Sequence, residues 1–344
     1  MSGTNVSLVE KKRRNRSIFL MSLLGVLIVL VILISMNAGF IRLSPIDVFK
    51  TLLGSGTPKQ ELILFEFRLP RIVISLLVGA GLAVSGCILQ GTTRNSLADP
   101  GILGINAGAA LLVVGFVSFH TSKVAVPVFF LPMLAMIGAG ATAALIFALS
   151  YDSVRGLSPK RMILSGIAVA AGINAAIIVL TIRMDPFDYQ YVAVWLAGSI
   201  WGANWPYVLA LLPWIVVLLP VIFYKARTLN VLALGDQLAI SLGTRVGSGR
   251  LLLVACAVAL AGACVAIGGG ISFVGLVGPH LARQLVGSKH QYLLPTSALV
   301  GSLLMVTADL AARMILQPSE IPTGIVVAVI GAPYFLYLLA RSKA

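Results

Sequence analysis

The chain has 344 residues, 59% of them hydrophobic and only 10% charged, with a mean hydropathy of +1.02. A soluble domain carries about 25% charged residues, so a water-packed globular protein is excluded and a polytopic membrane protein is expected. The formal charge of +14 reads as the basic marking of a cytoplasmic membrane face, not as a nucleic-acid surface.

In chain order, a basic tail over residues 1–16 ends in KKRRNR, Lys11 to Arg16. The apolar run Ser17 to Met36 follows. It is longer than the roughly 7–15-residue apolar core of a signal peptide, and ISMNAGFIRL is a poor cleavage site, so it reads as a retained first span. Nine further apolar segments lie approximately at 69–90, 101–119, 125–150, 162–182, 205–223, 250–267, 272–286, 292–312 and 322–340. The segment 272–286 is short and glycine-rich, and the aromatic segment 186–204 reads as interfacial. The expected fold is all-α, with about ten transmembrane helices in one domain over 17–344. An even number of spans puts both termini on one side. With that side inside, about twice as many Lys and Arg fall inside as outside, the bias of a cytoplasmic face.

Several residues stand out along this frame. Arg68 and Arg71 flank Pro70 in RLPR. Proline suits a first helical turn, and a spacing of three puts both arginines on one helix face. They fall on the outer side, either as anchors reaching lipid phosphates or as a bidentate docking site for carboxylates. Gly79, Ala83 and Gly86 share one face, the small-residue pattern of close helix contacts in lipid. NSLADPG, from Asn95, has the composition of an ordinary turn. The three cysteines, Cys87, Cys256 and Cys264, all fall in apolar runs without C-x-x-C spacing and read as buried small side chains. The run Gly268–Gly270 is compatible with a broken helix. His280 reads as a packing or capping residue near a helix end. Asp309 is the one carboxylate placed well inside a span. Intramembrane ionisable groups point to function by default, but Arg313 follows four residues later and can simply pair with it. No span shows a cluster of ionisable residues.

The stretch 229–250, LNVLALGDQLAISLGTRVGSGR, is too short and polar to cross a bilayer. Gly235 and Asp236 predict a helix start, with Asp236 accepting from freed backbone N–H groups. Leu238, Ala239 and Leu242 follow at helical spacing, and Gly243 is a natural stop. A helix of about two turns is marginal in water, so it must dock, on lipid or on a protein.

Here a resemblance enters. ALGDQLAISLG is similar to the cytoplasmic coupling loop of binding-protein-dependent ABC importers, where an Ala is followed four residues later by Gly; here these are Ala239 and Gly243. More specifically, FRLPRIVISLLVGAGLAVSGCILQ, NSLADPGILGINAGA, LALGDQLAISLG, GGGISFVGLVGPHLAR and SEIPTGIVVAVIGAPYFLYLL resemble, in order, the FecCD family of permeases, which import ferric siderophores, haem and cobalamin. The resemblance covers nearly the whole chain. It implies a type II ABC importer permease of the cobalamin-permease-like fold, in the cytoplasmic membrane of a bacterium. It also implies a second permease subunit (the same chain or a related one), two ATP-binding subunits, and an extracytoplasmic binding protein that delivers ferric siderophore.

By the same resemblance, Leu234, Gly235, Asp236, Leu238, Ala239, Leu242 and Gly243, within a coupling loop at 224–249, would meet the ATPase. Arg68, Arg71 and Arg313 would dock acidic residues of the binding protein. Asn95 and Leu97, with Pro159 and Lys160, would form a cytoplasmic gate, although Pro159 and Lys160 depart from the small hydroxyl residues of some relatives. The chain has no G-x-x-x-x-G-K-[ST] phosphate loop, so ATP and magnesium are expected on the partner. No cofactor, metal or catalytic residue is expected in this chain. Two competing readings are an ion-driven carrier, which favours intramembrane carboxylates and broken helices, and a membrane enzyme, for which no H-E-x-x-H or comparable cluster occurs.

Overall fold

The computed structural model describes residues 2–39, 41–101, 103–120, 127, 129–152 and 156–341. The elements, in order, are α1 (Ser2–Asn37), α2 (Pro45–Leu52), α3 (Pro58–Glu61), a π-helical turn (Leu62–Arg68), α4 (Leu69–Thr93), α5 (Ile105–Phe119) and α6 (Phe130–Ser150). After a minimal pair of β1 (Tyr151–Asp152) with β2 (Gly156–Leu157) come α7 (Pro159–Thr181), α8 (Pro186–Leu196), α9 (Trp205–Tyr224), α10 (Ala226–Ala233) and α11 (Asp236–Ser241). The chain closes with α12 (Val246–Gly268), α13 (Val274–Val286), α14 (His290–Ile315) and α15 (Thr323–Arg341).

Among the described residues, each of the ten apolar segments holds a helix, with α5 and α6 beginning inside their segments at Ile105 and Phe130. Among the described residues, seven helical stretches are long and apolar enough to cross a membrane. The shorter ones follow from packing. α5 and α13 have 15 and 13 residues, and a full crossing needs about 20. Both begin where irregular backbone is buried inside the protein, the one setting in which such backbone is tolerated at depth. Thus Asn106 Nδ2 donates to the Ile271 carbonyl at 3.1 Å across these two starts. The glycine run does end α12, with Gly269 at φ +69°. The following turn is covered by the backbone around Trp195 and Leu196.

The second span departs from its predicted start at 69. The helix runs unbroken from Pro58, opened by a reciprocal cap in which Thr57 N–H donates to Gln60 Oε1 at 2.9 Å. Pro70 lacks an N–H, and its ring would clash with the carbonyl four residues back. The backbone widens there: Leu69 N–H donates to Leu64. That frees the Phe65 carbonyl, which accepts the Trp205 indole N–H at 2.8 Å.

α4 is the central post, packed by α9, α12, α13 and α14. Its small-residue face makes the closest approaches. Gly79 lies against the Gly301 backbone of α14, Ala83 against Gly278 and Gly301, and Gly86 against the Gly275 carbonyl of α13. The three cysteines are free and buried.

Candidate functional site

The bundle carries a polar constellation at each end. At one end sits α11. Its N-cap is Gly235 at φ +111°, a conformation that residues with a Cβ avoid. Ala239 is fully buried, while Leu234, Leu238, Ile240 and Leu242 are all more than half exposed. Gly243, at φ +74°, ends the helix as its residue type predicts, and Thr244 N–H returns to the Ala239 carbonyl at 2.9 Å. The outcome is a short rigid knob with a greasy outer face.

Asp236 does something other than the capping its position predicts. No side-chain cap is made at this helix start. Instead the carboxylate receives a two-pronged grip from Arg250 of α12, at 2.6 and 3.2 Å, and a third bond from Arg94 at the end of α4, at 3.0 Å. The Arg250 bond, reinforced by the charges of Arg250 and Arg94, holds the Asp236 carboxyl below the usual carboxylate range. The folded value being depressed, this tether is complete above the ordinary carboxylate pKa of about 3.9 and is lost only as pH falls through the lower folded value. Arg94 and Arg250 were invisible as partners in the sequence, Arg94 lying 142 residues away from Asp236.

At the opposite end, Arg68, Arg71 and Arg313 converge. All three are buried, with 6, 8 and 7% of their surface exposed. Arg71 donates to Asp309 at 2.7 Å and to Glu320 at 2.6 Å. Arg313 donates to the other Asp309 oxygen at 3.1 Å, to Ser35 Oγ, and to the Ala38 carbonyl at 3.3 Å. Arg68 donates to the carbonyls of Met36 and Ile41. Reading each span by itself missed an ionisable cluster assembled between elements, which ties α1, α4, α14 and the loop before α15 together. The i,i+4 pair Asp309–Arg313 was legible in the spacing. The Arg71–Asp309 pair, 238 residues apart, was not. The lipid-anchor alternative for the arginines finds no support, since their heads turn into the protein. The same burial means that in this chain alone they are not an open docking surface. Glu320 is the most exposed member, with 32% of its side chain accessible.

The four gate candidates fall in two places. Asn95 Oδ1 accepts from Leu97 N–H at 3.0 Å, the local turn expected of that composition. Pro159 and Lys160 open α7. The loop reaches α7 farther along, where Leu103 and Gly104 lie against Gly166. Behind the loop, Asp99 is 5% exposed and its carboxylate abuts Gly275 in the first turn of α13. A negative charge is favourable at that helix start. His280, whose Nε2 lies 3.0 Å from the Gln284 amide nitrogen, packs edge-on to Tyr334.

Comparison with known proteins puts these features in a family. The FecCD transport family matches residues 27–341. An iron(3+)-hydroxamate import system permease protein, FhuG of Bacillus subtilis (strain 168), is 50% identical over 97% of this chain and 100% of its own length. The Fe(3+) dicitrate transport system permease protein FecD of Escherichia coli (strain K12) is 42% identical over 82% of this chain and 86% of its own. A solved metal-chelate type ABC transporter in an inward-facing conformation superposes with a TM-score of 0.82 at 33% identity, covering 93% of this chain and 98% of that one. An all-helical bundle with a Gly-bounded knob at one end, matched to these permeases over nearly its whole length, belongs to the FecCD transport family.

Proposed function

We propose that this chain is the permease subunit of an ATP-binding-cassette importer that carries ferric siderophore across a bacterial cytoplasmic membrane, with both termini on the cytoplasmic side. ATP and magnesium belong to a separate subunit. The observation that carries this reading is α11 with its flanks: Leu234, Leu238, Ile240 and Leu242 are exposed on and beside a helix too short to stand alone, locked to α4 and α12 through Asp236. Such a knob transmits a push from a partner into two core helices. The same chemistry serves haem or cobalamin cargo, so cargo is decided by uptake competition with ferric hydroxamate as the first ligand. Proteoliposomes holding the whole assembly are expected to accumulate ferric hydroxamate with ATP and no ion gradient. Uptake that follows a proton or sodium gradient and ignores ATP would establish the carrier reading instead.

The coupling residues can be tested without disturbing the core. Leu238→Glu combined with Leu242→Glu places charges only on exposed positions. Capture of the ATP-binding subunit is expected to fall at least tenfold, the scale of losing one well-buried apolar anchor, about 2 kcal/mol. Undiminished capture would reject α11 as the contact.

Docking of a binding protein at the arginine end requires an incoming carboxylate to reach Arg68, Arg71 or Arg313. In the chain as folded, Glu320 holds the outward N–H of Arg71. Arg68→Lys and Arg71→Lys keep the positive charge that buried Asp309 requires but lose the two-pronged carboxylate fork, and are expected to lower binding-protein affinity while ATPase assembly persists. Glu320→Gln is expected to raise that affinity by about tenfold, the equivalent of one charged hydrogen bond of roughly 1.5 kcal/mol. A pull-down in which none of these changes alters docking would remove the assignment. Asn95, Leu97, Pro159 and Lys160 are assigned to the cytoplasmic gate. The second permease subunit is assigned to the outward face of α7, the least buried of the candidate spans. That face exposes Asn174 among small and aliphatic residues, and an amide is better placed against protein or a watery passage than in lipid.

A further inference from the structure

A cavity of about 800 Å³ opens beside the α11 knob, between the end of α4, α10, the end of α13 and the start of α14. Arg94, Arg283, Lys289 and His290 line it, and no carboxylate is among its lining residues. The start of α14 faces it without a side-chain cap at Lys289, adding the positive end of a 26-residue helix.

Among the described residues, two buried atoms in this wall have no hydrogen-bond partner. One is Arg283 Nε, a donor. The other is Nε2 of His290, a residue only 3% exposed. The state of that ring is set by its other side. Asn230 Nδ2 donates to Gln291 at 2.8 Å, which turns Asn230 Oδ1 toward His290. Oδ1 then accepts both the backbone N–H of His290 and its Nδ1–H, at 2.9 and 2.8 Å. With the proton on Nδ1, Nε2 presents an acceptor, and it points to Gly91, itself part of the cavity wall.

An occupant that reaches these two atoms supplies a negative acceptor for Arg283 and a hydrogen-bond donor for His290. A protein segment with a carboxylate next to a hydroxyl or amide has both. A lipid headgroup can supply both, a phosphodiester charge with a glycerol hydroxyl or an ammonium close by, so position decides between lipid and protein. Ala233 and Leu234, which lead into α11, form the opposite wall, so whatever grips the knob also faces the cavity. We infer that an acidic segment of the ATP-binding subunit inserts here, with its carboxylate on Arg283 and a neighbouring side-chain donor on His290, as a second, polar contact beside the apolar knob. This rests on the coupling role assigned to α11.

The test uses the full chain in nanodiscs of neutral phosphatidylcholine and measures binding of its purified ATP-binding subunit. Arg283→Glu is expected to weaken binding at least tenfold, while Arg283→Lys, which keeps the charge, stays within about threefold. Ser288→Glu, on the exposed rim, repeats the test without touching a buried side chain and is expected to weaken binding about fivefold. Full binding by Arg283→Glu and Ser288→Glu overturns the inference. So does an effect that emerges only when anionic phosphatidylglycerol is added, which would assign the cavity to a lipid headgroup. Leu238→Glu serves as the control. If it abolishes binding while the cavity variants do not, the second contact fails and the knob stands; if it too has no effect, the coupling assignment itself fails.

Discussion

Replacing Asp309 with asparagine is expected to destabilise the permease by about 3–5 kcal/mol, the consequence of leaving buried charges without their partner. Asp309 is 1% exposed. One oxygen takes Arg71 and the other takes Arg313, while Thr323 of α15 lies 3.4 Å away. Through Arg313 the same carboxylate orders the end of α1, by way of Ser35 and Ala38. Without it, the buried guanidiniums of Arg71 and Arg313 would have, among the described residues, only Glu320 as a carboxylate nearby, and water already reaches Glu320. Water cannot enter to rescue these guanidiniums cheaply, because Arg71 and Arg313 are themselves less than a tenth exposed. Asparagine keeps the volume and removes only the charge, so a loss cannot be assigned to a cavity. Thermal unfolding in nanodiscs is the measurement, with Asp309→Glu as the conservative comparison. An Asp309→Asn variant that melts with the unsubstituted protein would show that the carboxylate holds nothing together.

The second large effect is expected at Gly86. Its Cα rests against the Gly275 carbonyl so closely that a methyl group would fall inside the oxygen's van der Waals surface. The obstacle is backbone and cannot swing away as a side chain could. Gly86→Ala must push α4 and α13 apart, at a penalty of about 1–3 kcal/mol or more. The displacement also bears on function, because α13 leads to Arg283 and the cavity beside α11. Loss of ATP-driven uptake is therefore expected to exceed the loss of folded protein. Gly115→Ala is the control. That glycine has open space around its Cα, and alanine is the better helix former there, by up to about 1 kcal/mol. If Gly86→Ala and Gly115→Ala behave alike in both assays, close backbone contact is not what the α4 glycines provide.

The sequence by itself determined the class of molecule and its punctuation. Hydrophobic runs located the apolar helices, because a chain in lipid must satisfy its backbone within each segment. Gly243 marked the end of α11, and a spacing of four joined Asp309 to Arg313, because both depend only on neighbours along one helix. Tertiary structure decided what depends on which helices meet. It took Asp236 from a presumed cap to a tether on Arg94 and Arg250, and carried the second span back to Pro58 through a turn widened around Pro70. It also drew Arg68, Arg71 and Arg313 inward around Asp309. A guanidinium finds its carboxylate across hundreds of residues, and no local period encodes that distance; only the packing of α1, α4 and α14 brings the charges together.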